Sequence, residues 1–414
     1  MKKLQSILTI LIMLGLTSVA HAQLPTKALT GEISGITRNL VNDTVYILTG
    51  FVYVEDGATL NIEAGTIIRG DKDTKGSLIV TKGSKIYALG TPDQPIVFTS
   101  NQPEGSRNYG DWGGIIILGD APINVAGGTA VIEGGVDTPE GDASYGGADA
   151  SDNSGSLTYV RIEYPGIAFV PGNEINGLTC GGVGSSTVLD HIMVSRSGDD
   201  AFEFFGGTVN GKYLIAHNTY DDDFDTDFGF QGKIQFGLVK RDPNFADVSG
   251  SNGFESDNDA TGSLNAPLTH ATVSNATIIG PLVNAGTIIN SNYKRGAHIR
   301  RSSQESLYNS IITGYPVGLF IDGTNCETSA TAGDLEVKNT VLAGCLTNFA
   351  VASGSAWDLA GWYGTGLFAN EIQLNVSDIS LTDPHNYSSP NFLPQMSSSM
   401  LFGADFLSTR LTNS

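Results

Sequence analysis

The sequence predicts an all-β chain wound into a single-stranded right-handed parallel β-helix with N- and C-terminal caps, and three observations carry that prediction. Glycine is abundant, 52 of 414 residues, while charged residues make up only 16%, against averages of about 7% and about 25% in soluble proteins. Short apolar runs follow one another between turn signals, with no sustained helical period. The chain also repeats itself, in units too short to bury a face alone, which is the mark of a solenoid.

Taken in order, the chain opens with a positive pair, Lys2 and Lys3, an apolar run from Ile7 to Leu16, and Ala20-His21-Ala22. This is the pattern of a signal peptide over residues 1–22, cut before Gln23. It directs the chain out of the cytoplasm, to the periplasm, the outer surface or the medium. No later stretch approaches the roughly 20 apolar residues of a membrane-spanning helix. With 22 basic and 43 acidic residues the net charge is −21, and loss of the two signal-peptide lysines makes it 20 − 43 = −23. Such a surface repels nucleic acid and anionic lipid. It suits divalent cations, cationic partners and neutral glycans.

Residues 23–50 are expected to form the N-terminal cap, 51–350 the β-helix, and 351–414 a C-terminal cap with a short helix near Trp357–Tyr363 and an irregular tail. Within the rod, Ala58 to Gly70 is echoed by Gly76 to Gly90, with Leu60, Gly65 and Ile68 matched 18 residues on by Leu78, Gly83 and Ile86. Asp199-Asp200-Ala201-Phe202-Glu203 recurs 22 residues on as Asp221-Asp222-Asp223-Phe224-Asp225, and again as Ser251-Asn252-Gly253-Phe254-Glu255. Asn173-Glu174-Ile175 is a partial earlier copy. A third pattern places Asn275, Asn309 and Asn339 five residues before a glycine.

A period near 22 suits one β-helix coil, whose equivalent positions stack at about 4.8 Å. Phe202, Phe224 and Phe254 should then form an internal ladder, and the asparagines an amide ladder at a bend. The leucine-rich pattern is absent, and propeller blades need about 40–50 residues. Asp137 to Gly155 reads as a polar excursion from the rod. Of the three cysteines, Cys326 and Cys345 are the candidate disulfide, leaving Cys180 as a buried thiol.

The acidic ladder is where chemistry is expected. Asp199, Asp200 and Glu203 should stack on Asp221 to Asp227, with Glu255, Asp257 and Asp259 behind. Carboxylates about 4.8 Å apart repel by about 3.5 kcal/mol at an effective dielectric of about 20, so a buried ladder needs a cation, an arginine or a proton. Asp223-x-Asp225-x-Asp227 and Asp257-x-Asp259-x-Thr261-Gly262 alternate oxygens as calcium loops do. Leu268 stands where an EF-hand beginning at Asp257 needs its bidentate acid, so that stretch is not an EF-hand. These six residues, Asp223, Asp225, Asp227, Asp257, Asp259 and Thr261, are the expected Ca2+ ligands. Arg300 and Arg301 are the paired arginines, expected to offset the acids.

Other constellations are weaker. Gly206-x4-Gly211-Lys212 mimics a phosphate loop, but Tyr213 replaces the hydroxyl residue and a strand follows. His191, His217, His270, His298 and His385 lack zinc spacing. Tyr159, Tyr164, Phe204, Phe205, Phe228 and Phe230 divide between core and a sugar-stacking surface.

Ser197-Gly198-Asp199-Asp200 resembles the paired-aspartate motif of polygalacturonases, yet the neighbouring coils carry none of that family's partner motifs. The runs Gly76 to Asn124, Gly181 to Asp242 and Ser251 to Ser263 resemble a group of exported β-helix proteins common in Bacteroidetes. The resemblance spans most of residues 50–345. It implies a pectate-lyase-like fold and an envelope or extracellular location, and it brings no assigned catalytic residues. The function expected is a non-enzymatic binding or adhesion scaffold for extracellular polysaccharide or envelope protein, stabilised by Ca2+ and needing no organic cofactor. The alternative is a polysaccharide lyase or glycoside hydrolase using the cluster 199–227. Its catalytic candidates are Asp199, Asp200, Glu203, Asp223 and Arg300.

Overall fold

A computed structural model of the chain describes residues 24–170 and 173–412; the signal-peptide segment lies outside them. Twenty-eight strands join one continuous sheet that winds as a right-handed parallel β-helix. Each coil contributes a strand to each of three faces. The first face stacks Ser77–Val80, Ile115–Leu118, Leu178–Gly181, Phe202–Phe205, Phe224–Asp227, Phe254–Ser256, Arg295–Arg300 and Val317–Asp322. The second stacks Thr59–Ile62, Lys85–Leu89 and the opening halves of Gly155–Glu163, Val188–Ser195 and Asn210–His217, then Lys233–Gln235 and Thr272–Ser274. The third carries the closing halves of those long strands, then Leu238–Lys240, Thr277–Ile279 and Ile311–Thr313.

Alternation sets which side faces in. In Thr59–Ile62, Leu60 and Ile62 are buried while Thr59 and Asn61 are half-exposed, the period of two that a half-buried strand requires. The phenylalanine ladder lies inside as expected. Phe202, Phe224 and Phe254 stack with ring centroids 5.3 Å apart at each step, and all three are fully buried. The asparagine ladder also sits at a bend. Asn275, Asn309 and Asn339 take φ of 58°, 52° and 51°, left-handed values that asparagine tolerates better than most residues. The same corner in earlier coils holds Tyr159, His191, Tyr213 and Phe236, also left-handed. Their rings stack at 4.3, 4.3 and 4.8 Å.

Several expectations need correction. The ladder begins earlier than the proposed cap boundary: Thr26–Ser34 already pairs in parallel with Val45–Glu55, so residues 23–50 include coil. The 18-residue echo is not the stacking register. Leu60 pairs with Ile86, and Ile68 with Phe98, because a strand, a glycine turn and a strand look alike at every corner. Asn173–Glu174 forms an antiparallel bridge with Ala168–Val170; the true counterpart of Asp200 is Asn176, since Leu178 pairs with Phe202.

The excursion after Ile115–Leu118 is packed rather than loose. Ala130–Val131 pairs with Ser144–Tyr145, and Val136 and Tyr145 bury against Ile79, Ile116, Leu118 and Phe205 on the outside of the first face. The cysteines are unpaired. Cys326 lies in helix α1 (Thr324–Ala332), after a first-face strand, whereas Cys345 lies at the corner leading into the next one.

The C-terminal region carries helix α2 (Leu359–Tyr363), whose Tyr363 hydroxyl donates to Thr340 O at 2.6 Å. The tail is more ordered than expected. Leu381–Asp383 pairs with Asn391–Pro394, and the chain then folds back on the rod. There Arg410, in helix α3 (Thr409–Thr412), donates to Ser306 Oγ and Asp334 O, both at 2.8 Å, and to Gly333 O at 3.0 Å.

Candidate functional site

The site is built from outward positions of the first face. Successive parallel pairs set Thr179, Glu203, Asp225, Glu255 and His298 one above another. A second outward column sets Phe205 beside Asp227 and, further on, Arg300 beside Asp322, with Asp257 bonded to Arg300 between them. The corner leading into this face adds Asp199 and Asp200, then Asp221 and Asp222 one coil on. Those four aspartates converge with Glu203, Asp225 and Glu255 on a cleft of about 230 Å³, with Glu133 from the excursion on one side and Arg295 and Arg300 at one end.

Three overlapping carboxylate triads form there: Asp199, Asp200 and Asp221; Asp200, Glu203 and Asp225; and Asp222, Asp225 and Glu255. Within each, oxygens lie within 4.8 Å of one another. Asp200, Glu203 and Asp222 are buried. Internal donors are few. Asn176 donates through Nδ2 to both Glu203 and Glu133, the Asp222 N–H donates to Asp200 Oδ1 at 2.8 Å, and Asn252 N–H donates to Asp222. Asp221 Oδ1 and Asp225 Oδ1 are buried without any partner.

Burial first, and neighbouring carboxylates second, push Asp199, Asp200, Glu203, Asp222 and Asp225 well above the usual range. Burial also raises Asp221 to about 6 and Asp227 to about 7. Glu255 differs. Burial pushes it up, but a hydrogen bond from His298 and the charge of Arg300 outweigh that and hold it below its ordinary value. Like charges crowded out of water either take up protons or hold cations.

Asp199, Asp200, Glu203 and Asp225 therefore come together as expected. Asp223 does not: it points into the rod, where Arg241 Nη1 donates to its Oδ1 at 2.8 Å with both side chains fully buried. It can serve neither as an outward ligand nor as a catalytic acid. Arg300 cannot act as a base, because its guanidinium is forked by Glu255 Oε1 at 2.5 Å and Asp257 Oδ1 at 2.7 Å. Burial lowers its pKa, but those acids outweigh it and hold the group protonated.

The expected loop over Asp257, Asp259 and Thr261 does not present converging free oxygens. Asp257 is taken by Arg300 and Arg301. Asp259 accepts from Thr261 N–H at 2.8 Å, Thr261 Oγ at 2.7 Å and Ser263 N–H at 3.1 Å. Burial raises its pKa, but the Ser263 and Thr261 donors hold it down at about 2. Asp227 lies beside the cleft, its Oδ1 accepting from Phe228 N–H at 2.6 Å. Sequence reasoning missed Glu133, which belongs to no repeat. It also missed Asp221, Asp222 and Glu255 as ligating positions, although the repeats placed all three on the ladder.

Of the aromatics, Phe204 stacks on Phe230 inside the core at 4.7 Å, and Phe205 is covered by Tyr145 and Phe228. Phe204, Phe205 and Phe230 offer no sugar-stacking face, whereas Tyr159 stands in the corner stack with His191 and Tyr213.

The domain profile described as a pectate-lyase-like β-helix matches residues 31–366. The chain belongs to the pectate-lyase-like β-helix domain family. Among solved structures it is similar to the Dettilon tailspike protein, at 10% identity over 77% of this chain, with a TM-score of 0.28. The match spans 62% of the tailspike chain. No curated protein matches the sequence.

Proposed function

We propose that this member of the pectate-lyase-like β-helix family is an exported surface-binding protein whose acidic cleft holds divalent cations, Ca2+ first among them. The cations would brace the coils and present a docking point for a glycan or protein partner. One observation carries the reading: seven carboxylates form three overlapping triads in which Asp221 and Asp225 keep a buried, unpartnered oxygen. Ca2+ takes six to eight oxygen ligands at flexible geometry, and a cleft of this donor set supplies them. Export rests on residues 1–22, and no helix among the described residues is long and apolar enough to cross a membrane.

The test is thermal unfolding and calorimetric titration with Ca2+ against chelator, on the chain from Gln23 onward. Ca2+ should raise the midpoint, and Asp200→Asn combined with Asp225→Asn should abolish the shift. An unchanged midpoint at millimolar Ca2+ sinks the reading.

A hydrolase reading draws on the unlike carboxyls of the cleft, Glu255 held below its ordinary pKa while Glu203 and Asp225 are pushed well above theirs, since glycoside hydrolysis divides acid and base roles in this way. New reducing ends from a polysaccharide panel would favour it. The lyase variant loses its basic residue in Arg300.

A further inference from the structure

We propose that the third face of the rod is a self-association surface, on which a second copy of this chain docks antiparallel. Parallel pairing stacks one outward column along that face: Ile67, Val97, Arg161, Met193, Ile215 and Leu238. The column continues through Thr277, Ile311 and Val341. Its two halves differ. Ile311 and Val341 are covered by Ile379, Leu381 and Met400 of the chain's own tail. The tail reaches as far as Lys240, whose ammonium lies 5.4 Å from the Tyr387 ring. From Leu238 back, the apolar side chains of the column stay half-exposed, and Leu238, Ile215 and Met193 line a groove of about 510 Å³.

The corner stack of Tyr159, His191, Tyr213 and Phe236 lines the same groove. Tyr213 and Phe236 are 41% and 37% exposed. All four hold left-handed backbone, which rings adopt far less readily than the asparagines of later coils. A continuous exposed apolar strip of this kind marks an interaction surface. Charge selects the occupant. The chain carries a net charge of −21, so two copies repel unless they meet where charge is sparse and answered. Among the described residues lining the groove, Arg161 alone carries a fixed charge, and Glu163 answers it.

The tail supplies the complementary surface. Leu393, Met396 and Phe402 are 70%, 94% and 82% exposed, on a layer that the tail adds over the C-terminal half of the face. A two-fold axis lying in the contact plane and across the rods sets two copies antiparallel, so each tail meets the other copy's groove. Such a contact is isologous and closes at two copies. Five steps of about 4.8 Å along the column by about 15 Å of face width, met twice, cover about 700 Å² per copy. A stable interface needs roughly 800 Å² per copy.

The experiment is analytical ultracentrifugation of the chain from Gln23 onward, over a micromolar concentration series at physiological salt. The parent should sediment as a monomer–dimer equilibrium. Ile215→Asp and Tyr213→Ser in the groove, and Met396→Asp on the tail, should each weaken it ten-fold or more at an unchanged unfolding midpoint. Val131→Asp, equally exposed but on the excursion over the first face, should leave it as it is. Mixing the Ile215→Asp and Met396→Asp proteins should restore part of the dimer, because the mixed pair keeps one intact tail-in-groove contact that neither variant has alone. A parent that stays monomeric, leaving the groove to a foreign partner, overturns the proposal. So does a dimer indifferent to the groove and tail changes, an assembly larger than two, or a mixture that associates no better than its components.

Discussion

The Asp223–Arg241 pair gives the sharpest test of which acids are structural. Both side chains are fully buried at an N–O separation of 2.8 Å. The guanidinium lies 5.0 Å over the Tyr293 ring, and its Nε and Nη2 lack partners. At an effective dielectric of about 20, a separation of 2.8 Å is worth about 6 kcal/mol of attraction. Desolvation costs several kcal/mol for each ion, so the intact pair comes close to break-even. Removing one member strands the other: Asp223→Asn or Arg241→Met should each destabilise by about 3–5 kcal/mol. The double change Asp223→Leu with Arg241→Met should recover most of that. Guanidinium unfolding followed by circular dichroism reads all four proteins. A single variant as stable as the parent, or a double variant as unstable as the sum of the singles, refutes the reasoning. The double variant should also keep the full Ca2+ response, because Asp223 faces away from the cleft.

Other predictions read different layers of the structure. Phe224→Ala removes a ring stacked on both sides and should cost about 3–5 kcal/mol; Phe254→Ala, whose next neighbour in the ladder is Ala297, should cost less, measured by the same unfolding assay. Without cations, the raised carboxyls make the folded chain hold extra protons, so stability should fall as pH rises from about 4 through the values near 6 and 7 of Asp221 and Asp227. Ca2+ binding at pH 7 should release protons and weaken toward pH 5, which calorimetry in buffers of differing ionisation heat would detect. Glu305, fully buried among Thr226, Ser256 and Ser303, is raised to about 8. Glu305→Gln should flatten the decline between about pH 4.5 and pH 8, leaving a steep decline if the cleft alone sets it. Arg410→Ala should free the tail to proteolysis ahead of the rod. It should also raise the pKa of His270, held near 4 by burial and then by Arg410, as NMR titration of the ring would show.

The sequence made the rod legible where coils are short and equal. Phe202 to Phe224 is one uninterrupted coil, so the aromatic and acidic ladders stood out at one spacing. Legibility failed where corners absorb extra chain. Phe254 pairs with Ala297, and Ile115 with Leu178, across insertions that no periodic reading spans. Glu133 arrives from such an insertion. Asp223 was misread for a different reason. It lies in the corner before the strand, where alternation does not hold, so Asp222 faces the cleft and its neighbour faces the core.

One outward column explains why the site sits where it does. The inward positions fix the coil, which leaves the outward ones free to vary, and down the first face they change character. Ile79 and Ile116 are apolar and covered by the excursion. Glu203, Asp225 and Glu255 follow, then His298 and Phe320. Parallel stacking forces neighbours of like charge to about 4.8 Å, a repulsion of about 3.5 kcal/mol per pair at a dielectric of about 20. At the C-terminal end the chain compensates itself, since His298, Arg300 and Arg301 answer Glu255 and Asp257. Further up, no cation of the chain pairs with Asp200, Glu203, Asp222 or Asp225 among the described residues. The basic side chains stop one coil short of the acids that need them most, and that uncompensated half of the ladder is where a bound cation would contribute most stability.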